Sequence, residues 1–551
     1  MSIHVPPPNP SSNLGILEHT LFVLPKSASL SQIKQLHAQV LKSHLRDDPR
    51  VAAKLVSSYS RCRDMGSAVG CYGQIAGPDL KLYNVVIRAY ADGSRPSLAF
   101  GVFFQMQAKG VFGDNFTYPY LLRACSGDVY LPTVRMVHAH VVKFGFVADI
   151  FVPNALIDSY SRCGLWGVRD ARKVFDKMMD RDTISWNSMI NGHVKAGQLG
   201  DARWLFEEMP DRDMISWNVL LDGYAKAGDM DAAFELFHRM SFRNAISWST
   251  MVSGYCKAGD LGMARMLFDR MPEKSLVPWT IIIAGYAEKG FVEEANSLYD
   301  QMEEAGLVLD EGAIVSILAA SAESGLLELG KKVHASIDID RFKGNTLVLN
   351  ALVDLYAKCG CLDEALSIFD GMTRKDVSSW NIMIKGMAMN GEGEKALSLY
   401  TRMKHEGYSP DGFTLIGLLC ACTHTGLVVE GLDHFHRMQQ QGITPMVEHY
   451  AWVVDLLCRA GSLEEALMLV QSMPFEPNSG IWSTLLCACR MRNDEALAAQ
   501  VFLRALKSNS VKSLRIPLAS NLRPPAGDSY CNFNPSFMDS TRRVTRSNLK
   551  L

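Results

Sequence analysis

The sequence predicts an all-α protein, an α-solenoid built from stacked helix-turn-helix repeats. The main observation is a motif that occurs three times in succession between Thr183 and Ser275, with Trp186, Trp217 and Trp248 31 residues apart. A fixed period of this length is typical of stacked supersecondary units rather than of one globular core. The second observation is that the apolar residues within each repeat follow helical spacing.

Each repeat contains the signals of two helices. In the first copy an apolar stripe through Trp186 and Ile190 predicts a helix that stops at Gly197, since glycine just past the last periodic residue ends helices. A second stripe through Phe206 predicts another helix, which Pro210 closes. Neither helix can bury its apolar face within one repeat, so neighbouring repeats must stack.

Carrying the same period outward divides most of the chain into repeats of unequal length. The predicted repeats are 49–79, 80–114, 115–149, 150–182, 183–213, 214–244, 245–275, 276–310, 311–345, 346–376, 377–411, 412–446 and 447–478. The predicted organisation is therefore a leader at 1–30, a repeat solenoid at 31–478, a partial helix pair at 479–506 and a basic tail at 507–551.

Composition excludes some classes of protein. The 551 residues carry 56 Lys and Arg against 58 Asp and Glu, with a pI of about 6.7. This balance argues against a non-specific cationic clamp on nucleic acid, but not against a groove that reads bases. No apolar run is long enough to span a membrane. The 13 cysteines form no compact framework, which fits a reducing compartment.

Three segments resemble pentatricopeptide repeats: NALVDLYAKCGCLDEALSIFDGM, SWNIMIKGMAMNGEGEKALSLYTRMKHEGYSPDG and VEHYAWVVDLLCRAGSLEEALMLVQSMPFEPN. The mixture of 31- and 35-residue repeats is similar to the PLS class of land plants, and the last full repeat resembles the one that precedes that class's E domain. The tetratricopeptide family, with its fixed period of about 34 residues, does not fit. The resemblance implies a right-handed α-solenoid superhelix that binds single-stranded RNA.

The two ends of the chain depart from the repeats. Residues 1–30 are rich in Pro and Ser, and are interpreted as a disordered leader or a transit peptide. Residues 507–551 do not resemble the rest of an E domain, and their composition predicts a disordered basic tail or an altered reading frame. A basic tail would add RNA affinity that depends on salt but not on sequence.

No catalytic, metal or cofactor site is predicted. Zinc deaminases, which end many proteins of this class, need H-x-E followed by P-C-x-x-C, and neither motif is present. The C-x-C pairs are interpreted as small buried residues at helix crossings, namely Cys359/Cys361, Cys420/Cys422 and Cys487/Cys489. His138/His140 and His434/His436 are interpreted as ordinary packed or exposed residues, and the tryptophan stripe as core.

One column of polar residues remains, and the resemblance implies that it reads RNA bases. The implied readers are the fifth and last residues of a repeat, and the apolar second residue would wedge between bases. Amide and hydroxyl groups suit this role because they can both donate and accept hydrogen bonds. The implied reading pairs are Asn84/Asp114, Asn154/Asp182, Asn187/Asp213, Asn218/Asn244, Ser249/Ser275, Thr280/Asp310, Asn350/Asp376 and Asn381/Asp411, and the implied wedges are Ile184, Ile215, Ile246 and Val277.

An alternative interpretation is that these asparagines and aspartates only cap helices and turns. Pro119, Val315 and Ile416 occupy the fifth position of other repeats, which are expected to act as spacers. By the family's pattern Asn with Asp favours U, Asn with Asn favours C, and Thr with Asp favours G. From Leu80 onward the RNA would read, 5′ to 3′, U, any, U, U, C, uncertain, G, any, U, U.

The expected function is therefore that of a non-enzymatic RNA-binding protein of a plant mitochondrion or chloroplast, with the mitochondrion favoured by the resemblance. By family analogy it would specify a C-to-U editing site and recruit a deaminase-bearing partner in trans. Two alternatives stay open: stabilisation or splicing of organellar RNA without editing, and a protein–protein scaffold of the tetratricopeptide type.

Overall fold

A computed structural model describes residues 29–75, 77–93, 96–125, 130–440 and 442–507, and all the regular secondary structure in these ranges is helical. The predicted leader up to residue 28 and the predicted tail from residue 508 lie outside the described residues. By its internal contacts the chain divides into an N-terminal half, Met1–Pro272, and a C-terminal half, Glu273–Leu551. In the part of the chain so described, no helix is both long and apolar enough to cross a membrane.

The described helices of the N-terminal half follow the predicted repeats. They are α1 Leu30–Leu41, α2 Pro49–Arg61, α3 Met65–Gly73, α4 Leu80–Asp92, α5 Pro96–Ala108, α6 Thr117–Ala124, α7 Leu131–Lys143, α8 Phe151–Ser161, α9 Gly164–Lys177, α10 Thr183–Lys195, α11 Leu199–Glu208, α12 Met214–Ala227, α13 Met230–Arg239, α14 Ala245–Ala258 and α15 Leu261–Arg270, with short 3₁₀ helices at His44–Asp47 and Phe146–Ala148.

The described helices of the C-terminal half continue the same alternation. They are α16 Leu276–Glu288, α17 Val292–Glu304, α18 Glu311–Ser324, α19 Leu327–Ser336, α20 Ile339–Phe342, α21 Thr346–Lys358, α22 Leu362–Gly371, α23 Val377–Met389, α24 Gly393–His405, α25 Gly412–Thr425, α26 Val428–Gln440, α27 Val447–Ala460, α28 Leu463–Gln471, α29 Ser479–Met491 and α30 Glu495–Lys507.

The helices of each half form two layers. The first helices of successive repeats pack directly on one another, as α8, α10, α12 and α14 do in the N-terminal half and α21, α23, α25 and α27 in the C-terminal half. Second helices such as α9, α11 and α13 in the N-terminal half, and α22, α24 and α26 in the C-terminal half, pack on the first helix of their own repeat and on that of the next. The predicted α-solenoid architecture is thus confirmed, and the first helices of each half present one continuous layer of equivalent positions.

Small residues and aromatic pairs hold neighbouring repeats together. Ala202 and Ala233 are fully buried on the second helices α11 and α13. Gly223 allows α12 to approach α10 closely, because a β-carbon there would lie 2.8 Å from Val194. Phe206 of α11 packs edge-to-face against Trp217 of the next repeat, with ring centroids 4.7 Å apart. These contacts explain why the same residue types recur at the same positions.

In the three successive repeats 150–182, 183–213 and 214–244, an arginine just before the last residue caps the second helix of its repeat. Arg181, Arg212 and Arg243 donate to the carbonyl groups of Phe175, Phe206 and Phe237 at 3.0, 2.7 and 2.8 Å. Their guanidinium groups also lie over the rings of these phenylalanines, 4.7 to 5.2 Å from the centroids. Each arginine satisfies carbonyls that the helix end leaves unpaired, and it fixes the turn into the next repeat.

Candidate nucleic-acid interface

In most repeats the last residue is the N-cap of the next first helix. Asp182 Oδ1 accepts the backbone N–H of Ser185 at 2.8 Å, and Asp213 Oδ1 accepts that of Ser216 at 2.8 Å. Asn244 caps α14 through Ser247 in the same way, at 3.0 Å. The capping interpretation therefore holds for these last residues, and the cap also fixes where their side chains lie.

The fifth residue, one turn into the first helix, reaches this cap. In six repeats an asparagine Nδ2 donates to the cap oxygen at the end of the same repeat, so that the two members of the pair are in direct contact. These pairs and distances are Asn84–Asp114 3.0 Å, Asn154–Asp182 3.1 Å, Asn187–Asp213 3.1 Å, Asn218–Asn244 3.3 Å, Asn350–Asp376 3.3 Å and Asn381–Asp411 2.9 Å.

A hydroxyl group from the following repeat completes four of these sites. Thr117, Ser185, Ser247 and Thr414 donate to the Oδ1 atoms of Asn84, Asn154, Asn218 and Asn381 at 2.7, 2.7, 2.7 and 2.6 Å. Among the described residues, no donor reaches the buried Oδ1 atoms of Asn187 and Asn350. The six asparagine sites are therefore of two kinds.

Hydrogen bonds keep two of the cap carboxylates charged. Burial raises the pKa of Asp182, but the hydroxyl and backbone N–H of Ser185 and the amide of Asn154 outweigh it and hold the pKa below its usual value. Burial likewise raises the pKa of Asp114, and hydrogen bonds from Thr117 and Asn84 hold it below its usual value. A carboxylate in this state can only accept hydrogen bonds.

The predicted pair Thr280/Asp310 is built differently. The hydroxyl of Thr280 donates to the carbonyl of Leu276 within its own helix at 2.9 Å, while Asp310 caps α18 through the N–H of Ala313 at 2.8 Å. The asparagine arrangement is therefore not repeated at this pair. Ser249 belongs to the N-terminal half and Ser275 to the C-terminal half, and their pairing stays a prediction.

The second residue of many repeats is an exposed apolar side chain, as a wedge between bases requires. Ile184, Ile215, Ile246 and Val277 are each more than half exposed. Four further repeats have an exposed apolar residue at the second position that was not predicted from the sequence: Phe116, Phe151, Leu347 and Phe413. Phe151 is 70% exposed at the start of α8. Their position in the repeat was the available signal.

The tryptophans of the stripe pack between repeats, but the core prediction holds only in part, because Trp186, Trp217 and Trp248 are half-buried. Trp186 and Trp248 pack edge-to-face on Phe175 and Phe237 of the preceding second helices, with centroids 4.9 Å apart in both pairs. Trp380 is fully buried against Phe369 in the same geometry. These indole rings hold neighbouring repeats together.

Of the histidines singled out in the sequence, His138, His140 and His434 are half-buried and His436 is exposed. His138 hydrogen-bonds Tyr160 at 3.0 Å, and His140 stacks on Phe144 with centroids 6.0 Å apart. His434 meets the ring of Tyr400 edge-on, and His436 lies beside Phe435.

The cysteine interpretation holds only in part. Cys420, Cys422 and Cys489 are fully buried, and burial raises the pKa of Cys420 to about 12. Cys359 and Cys361 are half-buried. The prediction was wrong for Cys487, which is exposed because it lies on the outward face of α29.

Comparison with known proteins finds matches to pentatricopeptide repeats along the chain. A model described as "PPR repeat" matches residues 81–111, 151–183, 184–214, 215–244, 246–276, 277–307, 348–377, 413–443 and 453–476, and one described as "PPR repeat family" matches 375–424. The chain is 56% identical over 530 residues to pentatricopeptide repeat-containing protein At3g29230 of Arabidopsis thaliana, covering 96% of this chain and 88% of that protein.

Two further similarities are informative. Pentatricopeptide repeat-containing protein At1g59720, chloroplastic/mitochondrial, of the same plant is 31% identical over 504 residues, covering 89% of this chain and 64% of that protein. The crystal structure of the pentatricopeptide repeat protein PPR10 of maize in complex with an 18-nt psaJ RNA element aligns with a TM-score of 0.51 at 18% identity, over 90% of this chain and 84% of that one. At this identity the structural match concerns the fold.

Proposed function

The chain belongs to the pentatricopeptide repeat family, and on this premise we propose that it binds single-stranded RNA sequence-specifically in a plant organelle. The observation that carries the proposal is the direct hydrogen bond between the fifth and last residues in six repeats. In each of these six repeats the pair lies on the layer formed by the first helices, which matches recognition of one base by two or three side chains of a helical repeat.

The hydrogen-bond inventory supports the assignment of bases. At Asn154 one N–H goes to Asp182 and the amide oxygen accepts from Ser185, which leaves the second N–H as a donor. The second carboxylate oxygen of Asp182 remains an acceptor. Uracil presents an N–H donor between two carbonyl acceptors, so it complements such a pair.

The pair of Asn218 and Asn244 differs at one group. Here Asn218 also donates to the cap oxygen, at 3.3 Å, but the cap residue carries an NH₂ group where the other repeats have a second carboxylate oxygen. Cytosine has an acceptor ring nitrogen where uracil has its N–H, so a donor at this position favours C over U.

We further infer that the bound RNA contains a C-to-U editing site and that a deaminase-bearing partner is recruited in trans. The basis is the resemblance of the repeat pattern to the PLS class and of the last full repeat to the one before an E domain, which is an argument by analogy. RNA stabilisation or splicing without editing is the second candidate, and it rests on the same base-reading column. A relative named chloroplastic/mitochondrial supports an organellar location.

Competition binding tests RNA recognition. The probe is an RNA that reads U, any, U, U, C, any, G, any, U, U, and the competitors are permuted RNAs of the same composition. We expect the ordered RNA to compete at least about tenfold better, since one base readout is worth about 1–3 kcal/mol. Equal competition by the permuted RNAs would indicate a protein–protein scaffold instead.

Transcript sequencing in a knockout plant tests the editing role separately. We expect one or a few organellar sites to lose C-to-U conversion. Unchanged editing together with an unstable or unspliced transcript would favour the second candidate. A fluorescent fusion of the N-terminal residues would show which organelle is involved.

A further inference from the structure

A hydroxyl at the third position of a repeat accompanies asparagine at the fifth position of the repeat before it. All six asparagine readers are followed by Ser or Thr at that position, namely Thr117, Ser185, Ser216, Ser247, Ser379 and Thr414. Where the fifth residue is Ala53, Pro119, Ser249, Thr280, Val315, Ile416 or Ala451, the third residue that follows is Leu82, Val152, Pro278, Ala313, Val348, His449 or Ile481. The two positions vary together along this one chain.

Helix capping does not explain this association. Asp79 caps α4 through the N–H of Leu82 at 2.8 Å, and Asp310 caps α18 through that of Ala313 at 2.8 Å. Asn478 caps α29 through Ile481 at 3.0 Å. Since the cap forms equally well with an apolar third residue, the hydroxyl must satisfy some other requirement.

Burial defines that requirement. All six hydroxyl side chains are fully buried, as are Leu82 and Val152 at the equivalent position elsewhere. A buried hydroxyl is destabilising unless it is hydrogen-bonded, so an apolar residue is the simpler choice when no asparagine is present. At four sites the hydroxyl donates to the amide oxygen of the asparagine at 2.6 to 2.7 Å, and none of its other hydrogen bonds is shorter.

This contact fixes the orientation of the amide. The cap carboxylate can only accept, so the asparagine must turn Nδ2 toward it, and the hydroxyl then holds Oδ1 from the other side. Both ends of the amide group are thereby held, and a single N–H is left over. A side chain held by two hydrogen bonds presents that donor in one direction, which is what discrimination between bases requires.

From this geometry we infer that the third-position hydroxyl of the following repeat is a positioning residue for base recognition. Each reading site of this kind consists of three residues from two repeats: the asparagine, the cap residue and the hydroxyl. The inference rests on the proposed function, since it concerns how strongly these sites discriminate between bases.

The chain offers a matched control. Asn154/Asp182 and Asn187/Asp213 are the same type of pair, but the hydroxyl of Ser216 donates to the main-chain carbonyl of Asp213 at 2.7 Å and not to Asn187. Both serines are fully buried, and both backbone N–H groups bind the cap at 2.8 Å. The backbone part of the cap therefore survives when either serine is replaced. Only the hydroxyl of Ser185 contacts the reading pair, since it donates to Asn154 Oδ1 and to Asp182 Oδ1 at 2.7 Å.

The test compares Ser185→Ala, Ser216→Ala and Ser185→Thr in the full chain. The affinity for RNA with U, divided by the affinity for RNA with C, is measured at two positions. These are the third base, assigned to Asn154/Asp182, and the fourth base, assigned to Asn187/Asp213. We expect Ser185→Ala to lower the third-base ratio by about three- to tenfold, the value of one hydrogen bond. Ser216→Ala should leave the fourth-base ratio unchanged. Ser185→Thr, which keeps a hydroxyl, should have the third-base ratio of the wild-type chain.

Every other outcome overturns either this inference or the proposed function. An unchanged third-base ratio in Ser185→Ala, or equal losses in both alanine variants, overturns the inference while the proposed function stands. Wild-type ratios near one at both bases overturn the proposed function and this inference with it. If Ser185→Ala does not fold, Thr414→Val, which removes a hydroxyl with little change of shape, replaces it, and the last U of the RNA is varied.

Discussion

At the scale of single residues, the difference between a carboxylate and an amide at the cap should decide between two pyrimidines. Asp213 and Asn244 occupy equivalent caps in successive repeats, and each accepts a hydrogen bond from the asparagine of its own repeat. They differ in one group, because the second oxygen of Asp213 accepts where the nitrogen of Asn244 donates.

Asp213→Asn is therefore expected to change the preference at the fourth base from U to C. The helix cap should survive, since Asn244 caps α14 with the same geometry. The switch should be worth about 1–3 kcal/mol, measured by competition between RNAs that differ at that base. Asn244→Asp is the reciprocal control and should move the fifth base from C to U. A general loss of affinity without a switch would contradict this assignment.

Thr280 gives a second residue-scale prediction. Its hydroxyl is bound to its own helix, and the third residue that follows is Ala313, without a hydroxyl. Thr280→Asn should move the seventh base from G toward U, as the family's pattern implies, but only weakly. Adding Ala313→Ser should strengthen the U preference, by about three- to tenfold if one hydrogen bond is gained.

The same competition assay measures both variants, with the eighth base varied as a control that should not respond. An equal U preference in the single and double variants would contradict the role assigned to the hydroxyl. No shift from G in either variant would contradict base reading by Thr280.

The sequence predicted the members of the reading pairs but not the contacts between them. The 31-residue period aligned Asn187 with Asn218, and the family's pattern implied their partners. The hydroxyl of Ser185 was missed because it lies 31 residues from Asn154, in the next repeat, where the tryptophan beside it dominated the interpretation. Contacts between repeats follow from stacking geometry, which the pattern of one repeat does not contain.

At the scale of elements, α27 has an unusual cap. His449 occupies the third position and is fully buried, and its Nδ1 accepts the N–H of Met446 at 3.0 Å. Its Nε2 then donates to the carbonyl of Gly412 at 2.8 Å. This arrangement requires the neutral ring, and burial holds the pKa of His449 below its usual value.

Acidification should therefore weaken this helix. The unfolded chain binds a proton more readily than the folded one, so the contribution is present above the unfolded pKa of about 6.5 and is lost as the pH falls through the lower folded pKa. Melting temperatures between about pH 7.5 and pH 5 measure the effect. His449→Ser should flatten the pH dependence, whereas replacing the exposed His405 by Ser should not. Identical slopes for all three proteins would refute this account.

The helices themselves were largely predictable, and their ends less so. Period and stop signals placed α10 and α11 within a residue or two, including the end at Gly197, whose φ of 74° favours glycine. The capping role of Arg212 was not foreseen, because its partners are carbonyls of Phe206 and Glu207 that sequence periodicity does not reveal.

At the scale of the whole molecule, the charge of the chain has a testable consequence. Residues 508–551 lie outside the described residues, and their basic composition predicts affinity that depends on salt but not on sequence. Deletion of residues 507–551 is expected to weaken binding to all RNAs alike and to reduce the salt dependence. Filter binding at several salt concentrations measures both. A loss confined to the preferred RNA would contradict this expectation.

Repeat construction predicts that one complete repeat can be removed. Residues 214–244 form α12, α13 and the cap residue of α14, and the flanking repeats have equivalent contact residues. Deleting them joins Asp213 to Ala245, so that Asp213 becomes the cap of α14. Ser247 then occupies the third position of the repeat that follows Asn187. Because stability in such proteins is roughly a sum of repeat and nearest-neighbour contributions, the shortened chain should fold.

The shortened protein should prefer an RNA that lacks the C, reading U, any, U, U, any, G, any, U, U. Circular dichroism melting tests the folding, and competition with the original RNA tests the change in register. Deletion of residues 230–244 alone is the control, since it removes α13 and leaves the buried face of α12 without its partner. That variant should unfold at a markedly lower temperature. If the shortened protein still prefers the original RNA, the repeats do not read one base each.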